Sequence, residues 1–509
     1  MTKQLSRGNA IPRFFFVAIA MLFQLGWILL MVLVLNDHYP WIALITRLLS
    51  VCVILRLNSG HTNAAYKIPW IMLILTAPIM GLSLYLMMGF FGDLGHAGKR
   101  LRSAREAIRH AFPQNIAPQT EPVDLPHPAA GISRYLHTQG YPLYTQTAVD
   151  YFPQAVDAFQ SMKADLEKAE SFIFLEYFIV SDGIAFQELC DILIRKARQG
   201  VDVRLMYDDF GSVGYVNMLF AKRLADAGIR CRVFNPAVPV LNLFMNHRDH
   251  RKITVIDGKV GYTGGYNLSD EYFGRQCPYG HWKDTGLRLE GDGVLGLTAD
   301  FLEMWCAATR SDESFAPYLI PHPVSVQDGF VQPYGDDPLT VERRAESVYL
   351  NLIYSARESL YIMTPYLIIT DEMGNALAMA AKRGVDVRII TPGTPDKKAV
   401  YAITRSYYPG LAANGVRIFE YTPGFCHGKQ MLCDGMVASV GTSNLDYRSL
   451  YLHFENNVVL YGGNAVKKIT EDFHALFPLC REVTQTCLQS HSPLLKLGQS
   501  ILRLFAPLL

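Results

Sequence analysis

Two segments of the chain carry the same chemically active residues at the same spacing. Each set contains a histidine, a lysine, an aspartate, a glycine and an asparagine: His250, Lys252, Asp257, Gly264 and Asn267 in the first, and His427, Lys429, Asp434, Gly441 and Asn444 in the second. An imidazole can attack phosphorus or move a proton, and an ammonium with an amide can stabilise oxygen anions. The pattern therefore predicts chemistry on a phosphate diester, with both histidines and both lysines catalytic.

A β-hairpin is expected to carry each histidine. The segment from His250 to Val255 is strand-like, and its period of two places His250 and Lys252 on one face. The Asp257-Gly258 dipeptide that follows favours a two-residue turn. Asp434-Gly435 repeats this signal in the second set.

The predicted turns determine which residues face the histidines. Pairing across a two-residue turn sets Gly265 opposite His250 and Thr442 opposite His427. Small residues at these positions leave room for a ligand beside each imidazole, and an asparagine amide follows each of them. We therefore predict four substrate-binding residues: Gly265, Asn267, Thr442 and Asn444.

Acidic residues complete the predicted site. Asp257 and Asp434 belong to the repeated pattern and are counted as catalytic, although Asp-Gly turns often have a purely structural role. A histidine nucleophile needs an acceptor for its other ring nitrogen. Asp284 and Glu455 follow the two histidines at similar distances and are the candidate orienting acids. The pattern supplies lysine where a metal site would have another acid or histidine, so we predict neither a metal nor another cofactor.

The two sets end two halves of one long duplication. Helix–glycine–strand junctions at Gly200 and Gly228 return in the same order at Gly384 and Gly415. Such alternation is typical of an α/β fold with a mixed sheet. We expect two α/β domains, at residues 131–315 and 316–487, related by pseudo-two-fold symmetry. Their interface would form one active site from two half-sites.

Composition narrows the function classes. The 509 residues carry a net charge of +1, which argues against a nucleic-acid binder that relies on bulk basic charge. Half of the residues are hydrophobic, which excludes a disordered chain. Only 18% are charged, and mean hydropathy is +0.12, so part of the chain is expected in a membrane.

Two uncharged runs near the start of the chain are candidate membrane spans. Phe14–Leu35 and Ile68–Phe91 each exceed the roughly 20 residues that cross a bilayer core. We therefore predict an α-helical transmembrane region at residues 1–95 with two spans. Trp41–Leu55 is also apolar, but Arg47 at its centre favours an interfacial or re-entrant segment over a third span.

The remaining segments flank the predicted domains. Residues 96–130 combine a basic stretch with a proline-rich linker. The positive-inside rule places the basic stretch, and with it the catalytic part of a multi-pass cell-membrane protein, in the cytoplasm. Residues 488–509 form an amphipathic tail, for which contact with the membrane and packing on the catalytic part are both open.

The repeated pattern H-x-K-x4-D-x6-G-x2-N resembles that of the phospholipase D superfamily. Four further segments are similar to bacterial cardiolipin synthases: Asn63–Trp70, Gly264–Tyr272, Tyr421–Lys429 and Asn444–Ser449. The resemblance extends over nearly the whole chain, including the apolar N-terminal part, and no member of the motif is missing.

The resemblance implies a metal-independent transfer between two phosphatidylglycerol molecules that yields cardiolipin and glycerol. His250 would attack phosphorus and form a covalent phosphatidyl-histidine. His427 would protonate the departing glycerol and then deprotonate the second phosphatidylglycerol. By the same analogy the acids cross between the halves, so that Glu455 holds His250 and Asp284 holds His427. The choice of His250 as the nucleophile rests on analogy alone.

Other functions remain open. Water or serine as acceptor would make the protein a phospholipase D or a phosphatidylserine synthase of the same superfamily. A membrane-anchored nuclease is disfavoured by the near-neutral charge, and an inactive lipid-binding scaffold is disfavoured by two intact motifs. The expected partners are a phospholipid substrate and a membrane, without nucleic acid, and the sequence leaves the oligomeric state open.

Overall fold

Two mixed β-sheets, one from each half of the chain, form the centre of the computed structural model. The structure describes residues 40–60, 63–86, 95–113, 129–236, 246–309, 314–326, 328–489 and 493–504, with residues 125 and 506 and a few positions between 18 and 30. The predicted span Phe14–Leu35 therefore lies almost wholly outside the described residues, as does most of the proline-rich linker.

Within the described residues from position 40 onward, five helices precede the first sheet. They are α1 (Pro40–Ser59), α2 (Ala64–Thr76), α3 (Pro78–Tyr85), α4 (Gly95–Ala111) and α5 (Ala129–Thr138). Among the described residues, no helix combines the length and the apolar character that crossing a membrane requires. The basic stretch forms α4, and its Arg105 makes ion pairs of 2.6 Å with Glu303 and 2.8 Å with Asp337.

The predicted span Ile68–Phe91 is not one continuous helix. It is interrupted at Ala77, which leaves the helical region at φ −138° and separates α2 from α3. The cause is Pro78, which has no backbone N–H and disfavours a helical conformation in the residue before it. Trp41–Leu55, expected as an interfacial or re-entrant segment, lies within α1.

The first half forms a seven-stranded sheet in the order β1-β9-β7-β6-β2-β3-β4. Its elements are β1 (Thr147–Phe152), α6 (Ala155–Leu166), β2 (Phe172–Tyr177), α7 (Ile184–Arg198), β3 (Asp202–Asp208), α8 (Asp209–Ser212), α9 (Phe220–Asp226), β4 (Arg230–Phe234), β5 (Arg248–Asp249), β6 (Lys252–Ile256), β7 (Val260–Gly264), a 3-10 turn (Asp270–Phe273), β8 (His281–Lys283), β9 (Gly286–Gly291) and α10 (Val294–Thr309). Strands β2, β3 and β4 are parallel, and the other pairs in this sheet are antiparallel.

The second half repeats this order as β10-β17-β16-β15-β11-β12-β13 and adds β18 at the edge. Its elements are β10 (Phe330–Asp336), α11 (Arg344–Ser355), β11 (Ser359–Met363), α12 (Asp371–Lys382), β12 (Asp386–Pro392), α13 (Lys398–Ala412), β13 (Arg417–Tyr421), β14 (Gly424–Cys426), β15 (Gln430–Cys433), β16 (Val437–Gly441), α14 (Tyr447–Tyr451), β17 (His453–Tyr461), α15 (Gly463–Leu476), a 3-10 turn (Phe477–Leu479), β18 (Cys480–Glu482), α16 (Thr484–Leu488) and α17 (Pro493–Leu504). The predicted duplication of an α/β unit with a mixed sheet is confirmed.

A shared apolar core holds the two sheets together. Phe174 and Leu287 of the first half belong to the same buried cluster as Met363 and Val458 of the second. Helices α10 and α15 contribute to this cluster, with Trp305 among its largest side chains. The opposite face of the first sheet is covered by helices of its own half, and that of the second sheet by helices of its own half together with α5. Burial of both faces accounts for the continuous apolar runs in the central strands.

The hairpin loops contain three residues where the sequence predicts two. Ile256 pairs with Val260, and Cys433 pairs with Val437, so each loop holds one residue after the Asp-Gly dipeptide. This extra residue shifts the register by one and flips the side-chain alternation. The predicted pairings of Gly265 with His250 and of Thr442 with His427 are therefore wrong.

Helix α17 packs on the second half of the molecule. Arg503 donates a 2.9 Å hydrogen bond from Nε to the Ser406 hydroxyl on α13, and its guanidinium lies 4.2 Å from the Tyr407 ring centre. Of the two alternatives for the C-terminal tail, the structure therefore shows packing on the catalytic part. Helix α2 reaches the same region, where the Tyr66 hydroxyl donates to the Tyr447 carbonyl at 3.0 Å.

Candidate active site

Each motif histidine is anchored on a strand from the other half. Strand β5 pairs in parallel with the start of β17, and the His250 N–H then donates to the Phe454 carbonyl at 2.9 Å. Strand β14 pairs in the same way with β8, and the His427 N–H donates to the Lys283 carbonyl at 2.7 Å. His250 thus precedes β6 rather than lying in the predicted strand. The crossing strands bring each histidine to the acid that the other half carries.

The carboxylates hold the histidines at Nδ1. Nδ1 of His250 lies 2.9 Å from both carboxylate oxygens of Glu455, and Nδ1 of His427 lies 2.7 Å from Oδ2 of Asp284. Both acids are fully buried. An acid on Nδ1 fixes the orientation of the ring and leaves Nε2 as the nitrogen for chemistry. The crossed pairing implied by the resemblance is therefore what the structure shows.

Both motif lysines are buried beside their histidines. The Lys252 ammonium donates to the His250 carbonyl, and the Lys429 ammonium donates to the His427 carbonyl, each at 2.5 Å. The Lys429 ammonium also lies 2.8 Å and 3.0 Å from the two ring nitrogens of His427. Two ammonium groups next to two imidazoles form a cationic centre that suits an anionic substrate.

Burial changes the proton affinities of this centre. It lowers the pKa of His427 to about 4, aided by Lys429, and lowers that of His250 well below 6.5, aided by Lys252. It lowers the pKa of Lys252 to about 7 and that of Lys429 to about 8. Without substrate, both histidines are therefore neutral at pH 7, and the lysines titrate close to that pH.

The acids differ from each other. Burial raises the pKa of Glu455 well above its usual value. Burial opposes ionisation of Asp284 as well, but its hydrogen bond and electrostatic interaction with His427 and the charge of Lys429 outweigh burial, and the pKa of Asp284 is lowered. Asp284 is thus a carboxylate at neutral pH, placed to stabilise a positive charge on His427.

The predicted substrate-binding residues divide into two groups. Asn267 and Asn444 line the cavity between the histidines, and Oδ1 of Asn444 has no hydrogen-bond partner among the described residues. Gly265 and Thr442 contact the acids instead. A Cβ atom at Gly265 would overlap the Asp284 carboxylate, and the Thr442 hydroxyl donates to Glu455. Their predicted contact with substrate is not what the structure shows, because the register differs by one residue.

Asp257 and Asp434 lie away from the histidines, in the hairpin loops. The Asp257 carboxylate accepts the backbone N–H groups of Ser171 and Phe172 at 2.7 Å and 2.9 Å. The Asp434 carboxylate accepts those of Glu358 and Ser359, both at 2.8 Å. Five residues of extended chain, about 16 Å, separate each aspartate from the motif lysine. Both aspartates thus lie away from the reactive groups, and the contacts that they make are those of a structural role.

A cavity of about 310 Å³ contains both histidines. Several of its lining residues were missed by sequence reasoning because they do not recur in both halves: Phe178, Arg248, Tyr272, Trp282, Tyr366, Lys397, Arg448 and His453. The signal for two of them was their position beside a predicted residue, since Trp282 and His453 each stand two residues before an orienting acid.

Three of the site residues have the chemistry of metal ligands. His250, His453 and Glu455 place one ligand atom each within 4.8 Å of one another. The sequence predicts no metal site, because the repeated pattern supplies lysine where a metal site would have another acid or histidine. Lys252 and Lys429 supply positive charge beside these residues and can stabilise a phosphate oxygen there.

Two α/β halves with two His–Lys–acid half-sites around one cavity are the arrangement of an enzyme that acts on phosphate diesters. The family model described as "Cardiolipin synthase, PLD-like domain" matches residues 162–280 and 349–477. A cardiolipin synthase of Geobacillus kaustophilus is 36% identical over 466 residues, which cover 90% of this chain and 92% of that protein. An uncharacterized protein of Streptococcus mutans is 42% identical over 90% of this chain and 99% of its own length. The chain belongs to the PLD-like cardiolipin synthase family.

A solved structure has the same fold. The phosphatidylserine synthase of Haemophilus influenzae aligns with a TM-score of 0.55 at 14% sequence identity, over 74% of this chain and 98% of that one. At this level of identity, the likeness concerns the fold alone. It confirms the two-domain α/β architecture.

Proposed function

We propose that the protein is a phosphatidyltransferase that makes cardiolipin and glycerol from two molecules of phosphatidylglycerol. The observation that carries this proposal is the pair of histidines, each held by an acid of the other half and both lining one cavity with Asn267 and Asn444. The membership in a family of cardiolipin synthases supports the choice of lipid.

The first step forms a covalent intermediate. Nε2 of His250 attacks the phosphorus of one phosphatidylglycerol, so that a P–N bond forms and the P–O bond to the headgroup glycerol breaks. His427 donates the proton that the departing glycerol oxygen needs. Lys252 and Lys429 stabilise the negative charge on the non-bridging oxygens as it develops.

The second step releases the product. The terminal hydroxyl of a second phosphatidylglycerol gives its proton to Nε2 of His427, and its oxygen attacks the phosphorus. The P–N bond to His250 breaks, and cardiolipin is formed. His427 regains the proton that it donated in the first step, so the enzyme returns to its starting state.

The two acids support this division of roles. Asp284 is ionised and stabilises the imidazolium form of His427 that acid catalysis requires. The pKa of His250 is held well below its usual value by burial and by Lys252, which keeps this ring neutral and nucleophilic. The phosphate of a bound lipid adds negative charge to the cavity and raises the pKa of His427 toward the working range of a general acid.

Membrane contact belongs to the same proposal. Helices α1 and α2 expose large apolar side chains: Trp41, Leu44, Ile45, Leu48, Leu49, Val51, Leu55, Ile68, Met72 and Leu75. Such a surface suits contact with lipid, and α2 packs beside the cavity through Tyr66. The two spans and the cytoplasmic position of the catalytic part stay predictions from the sequence.

The proposal is tested with the purified full-length protein in mixed micelles of phosphatidylglycerol and detergent. We expect cardiolipin and glycerol in equal amounts, and neither product from His250→Ala. Phosphatidic acid in place of cardiolipin would assign water as the acceptor and a phospholipase D activity. Phosphatidylserine formed preferentially when serine is added would assign a phosphatidylserine synthase.

A further inference from the structure

The two half-sites share histidine, lysine and asparagine but differ at the cross-strand pair that stands two residues before each histidine. In the β14–β8 ladder, Phe425 pairs with Trp282, and their rings lie 4.8 Å apart. In the β5–β17 ladder, the equivalent positions hold Arg248 and His453. An aromatic pair thus stands beside His427 where a cationic and a titratable side chain stand beside His250.

Arg248 is built into the cavity wall. It is 1% exposed, and its Nη1 donates to the Asn235 carbonyl at 2.8 Å and lies 3.5 Å from Oδ1 of Asp208. Its Nε and Nη2 have no hydrogen-bond partner among the described residues. A buried guanidinium with two such donors is costly unless a further acceptor is supplied.

His453 is also buried with polar atoms that lack hydrogen-bond partners in the part of the chain that the structure describes. Both of its ring nitrogens lack a hydrogen-bond partner among the described residues, although the ring is buried. Its centre lies 5.4 Å from that of His250, and Arg448 lines the same cavity. The Nδ1 atom of His453 lies 3.8 Å from Oε1 of Glu455, beyond hydrogen-bond distance.

The acids of this cavity already accept hydrogen bonds inside the protein. Asp396 accepts the Tyr366 hydroxyl at 2.6 Å, Asp446 accepts the Ser449 N–H at 2.8 Å, and Glu271 accepts the Ser269 hydroxyl at 2.6 Å. Of the acids near Arg248, only Asp208 makes an ion-pair contact with it among the described residues.

We propose that Arg248 and His453 form the subsite for the phosphate of the acceptor lipid. The acceptor hydroxyl must reach the phosphorus on His250, and three glycerol carbons, roughly 6 Å when extended, separate that oxygen from the acceptor's own phosphorus. Arg248 precedes His250 by two residues of extended chain, which places it on the same face and about 6–7 Å away. This assignment rests on the proposed function and explains how an anionic lipid is preferred over water as acceptor.

A competition between two acceptors tests the subsite. Micelles of phosphatidylglycerol with added ethanol give cardiolipin and phosphatidylethanol from the same phosphatidyl-enzyme. The ratio of the two products is therefore independent of how much enzyme is correctly folded. We expect Arg248→Gln to lower the ratio of cardiolipin to phosphatidylethanol at least tenfold, because ethanol carries no phosphate. His453→Gln lowers it by a smaller factor, and Arg248→Lys restores part of it.

Arg204→Gln is the matched control. Arg204 is equally buried, but it packs on the Phe174 and Trp305 rings and is not among the residues that line the cavity. Its loss is expected to leave the ratio at the wild-type value. A wild-type ratio in both Arg248→Gln and His453→Gln would overturn the subsite while leaving the proposed function intact. The absence of both products from the wild-type protein would instead overturn the proposed function, and the subsite with it.

Discussion

The His250 and His427 half-sites show which parts of a duplicated site remain equivalent and which have diverged. Both keep histidine, lysine and asparagine, and both anchor the histidine on a strand of the opposite half. They differ in the acid, which is Glu455 for His250 and Asp284 for His427. The reactive groups are thus the same in both half-sites, whereas the residues around them give His250 and His427 different catalytic roles.

The surroundings differ in charge as well as in shape. Asp284 is ionised beside His427, whereas burial raises the pKa of Glu455 beside His250. Two histidines in identical surroundings could exchange the roles of nucleophile and general acid. Because their acids differ, the two histidines are not interchangeable. If the comparison is correct, equivalent substitutions in the two halves must have unequal effects.

The largest difference is expected for the histidines themselves. His250→Ala removes the nucleophile and is expected to lower kcat by about 10⁵-fold for every donor lipid. His427→Ala removes a general acid and is expected to cost about 10³-fold with phosphatidylglycerol. With a phosphatidyl donor that carries p-nitrophenol, a leaving group that needs no proton, the His427 variant should release nitrophenol near the wild-type rate in the first turnover. Equal losses in the two variants with this donor would contradict the division of roles.

The acids should differ by a smaller factor. Asp284→Asn removes an ionised partner of His427 and is expected to lower kcat by about 10²- to 10³-fold. Glu455→Gln removes less negative charge, because burial raises the pKa of Glu455, and is expected to cost about tenfold. Steady-state kinetics of the two variants at pH 7 measure this difference. Equal losses of kcat in the two variants, or a larger loss in Glu455→Gln, would contradict the unequal roles of the two acids.

The pH dependence of kcat/KM should report the lowered pKa values of Lys252 and Lys429. The nucleophile His250 must be neutral in the free enzyme, and its pKa is lowered, so kcat/KM is lost on the acid side only below 6.5, the ordinary histidine value. Charged lysines are also required, so kcat/KM falls as pH rises through the pKa of Lys252, about 7, and that of Lys429, about 8. In Lys252→Arg, which stays charged, the midpoint of this fall should move from about 7 to about 8. A fall that begins only near 10.5, the ordinary lysine value, would contradict the effect of burial.

The smallest effect on catalysis is expected for the loop aspartates. Asp257→Ala leaves buried N–H groups without their acceptor and should lower the free energy of unfolding by about 2–4 kcal/mol. Asp434→Ala should cost less in the second half, because the N–H groups that Asp434 accepts are exposed or part-buried. In both variants kcat/KM per folded molecule should stay within about twofold of wild type. A hundredfold loss of kcat/KM in a fully folded sample would show that these aspartates take part in catalysis.

Repetition in the sequence predicted the fold and the centre of the site. The paired motifs and the recurring glycine junctions indicated two α/β units, and His250 and His427 do line one cavity. The crossing of Glu455 and Asp284 between halves came from the resemblance, since no spacing within one half reveals a contact with the other.

Features that depend on one backbone detail were not predictable. A third residue in each hairpin loop moved Gly265 and Thr442 from the histidines to the acids. Ala77, which precedes a proline, divided a run that composition alone marks as continuous. His453 was missed for a different reason. It breaks the repeat, and a search for recurring residues passes over positions where the two halves have diverged.

The most direct test of this account is to trap the covalent intermediate. The full-length protein is mixed rapidly with a phosphatidyl donor whose glycerol is replaced by p-nitrophenol and quenched in base, in which phosphohistidine is stable. Peptide mass spectrometry then locates the phosphatidyl group. We predict that it is attached to His250 and that His427→Ala accumulates the same adduct. A phosphatidyl group on His427, in wild type or in His250→Ala, would contradict the assignment of roles to the two half-sites.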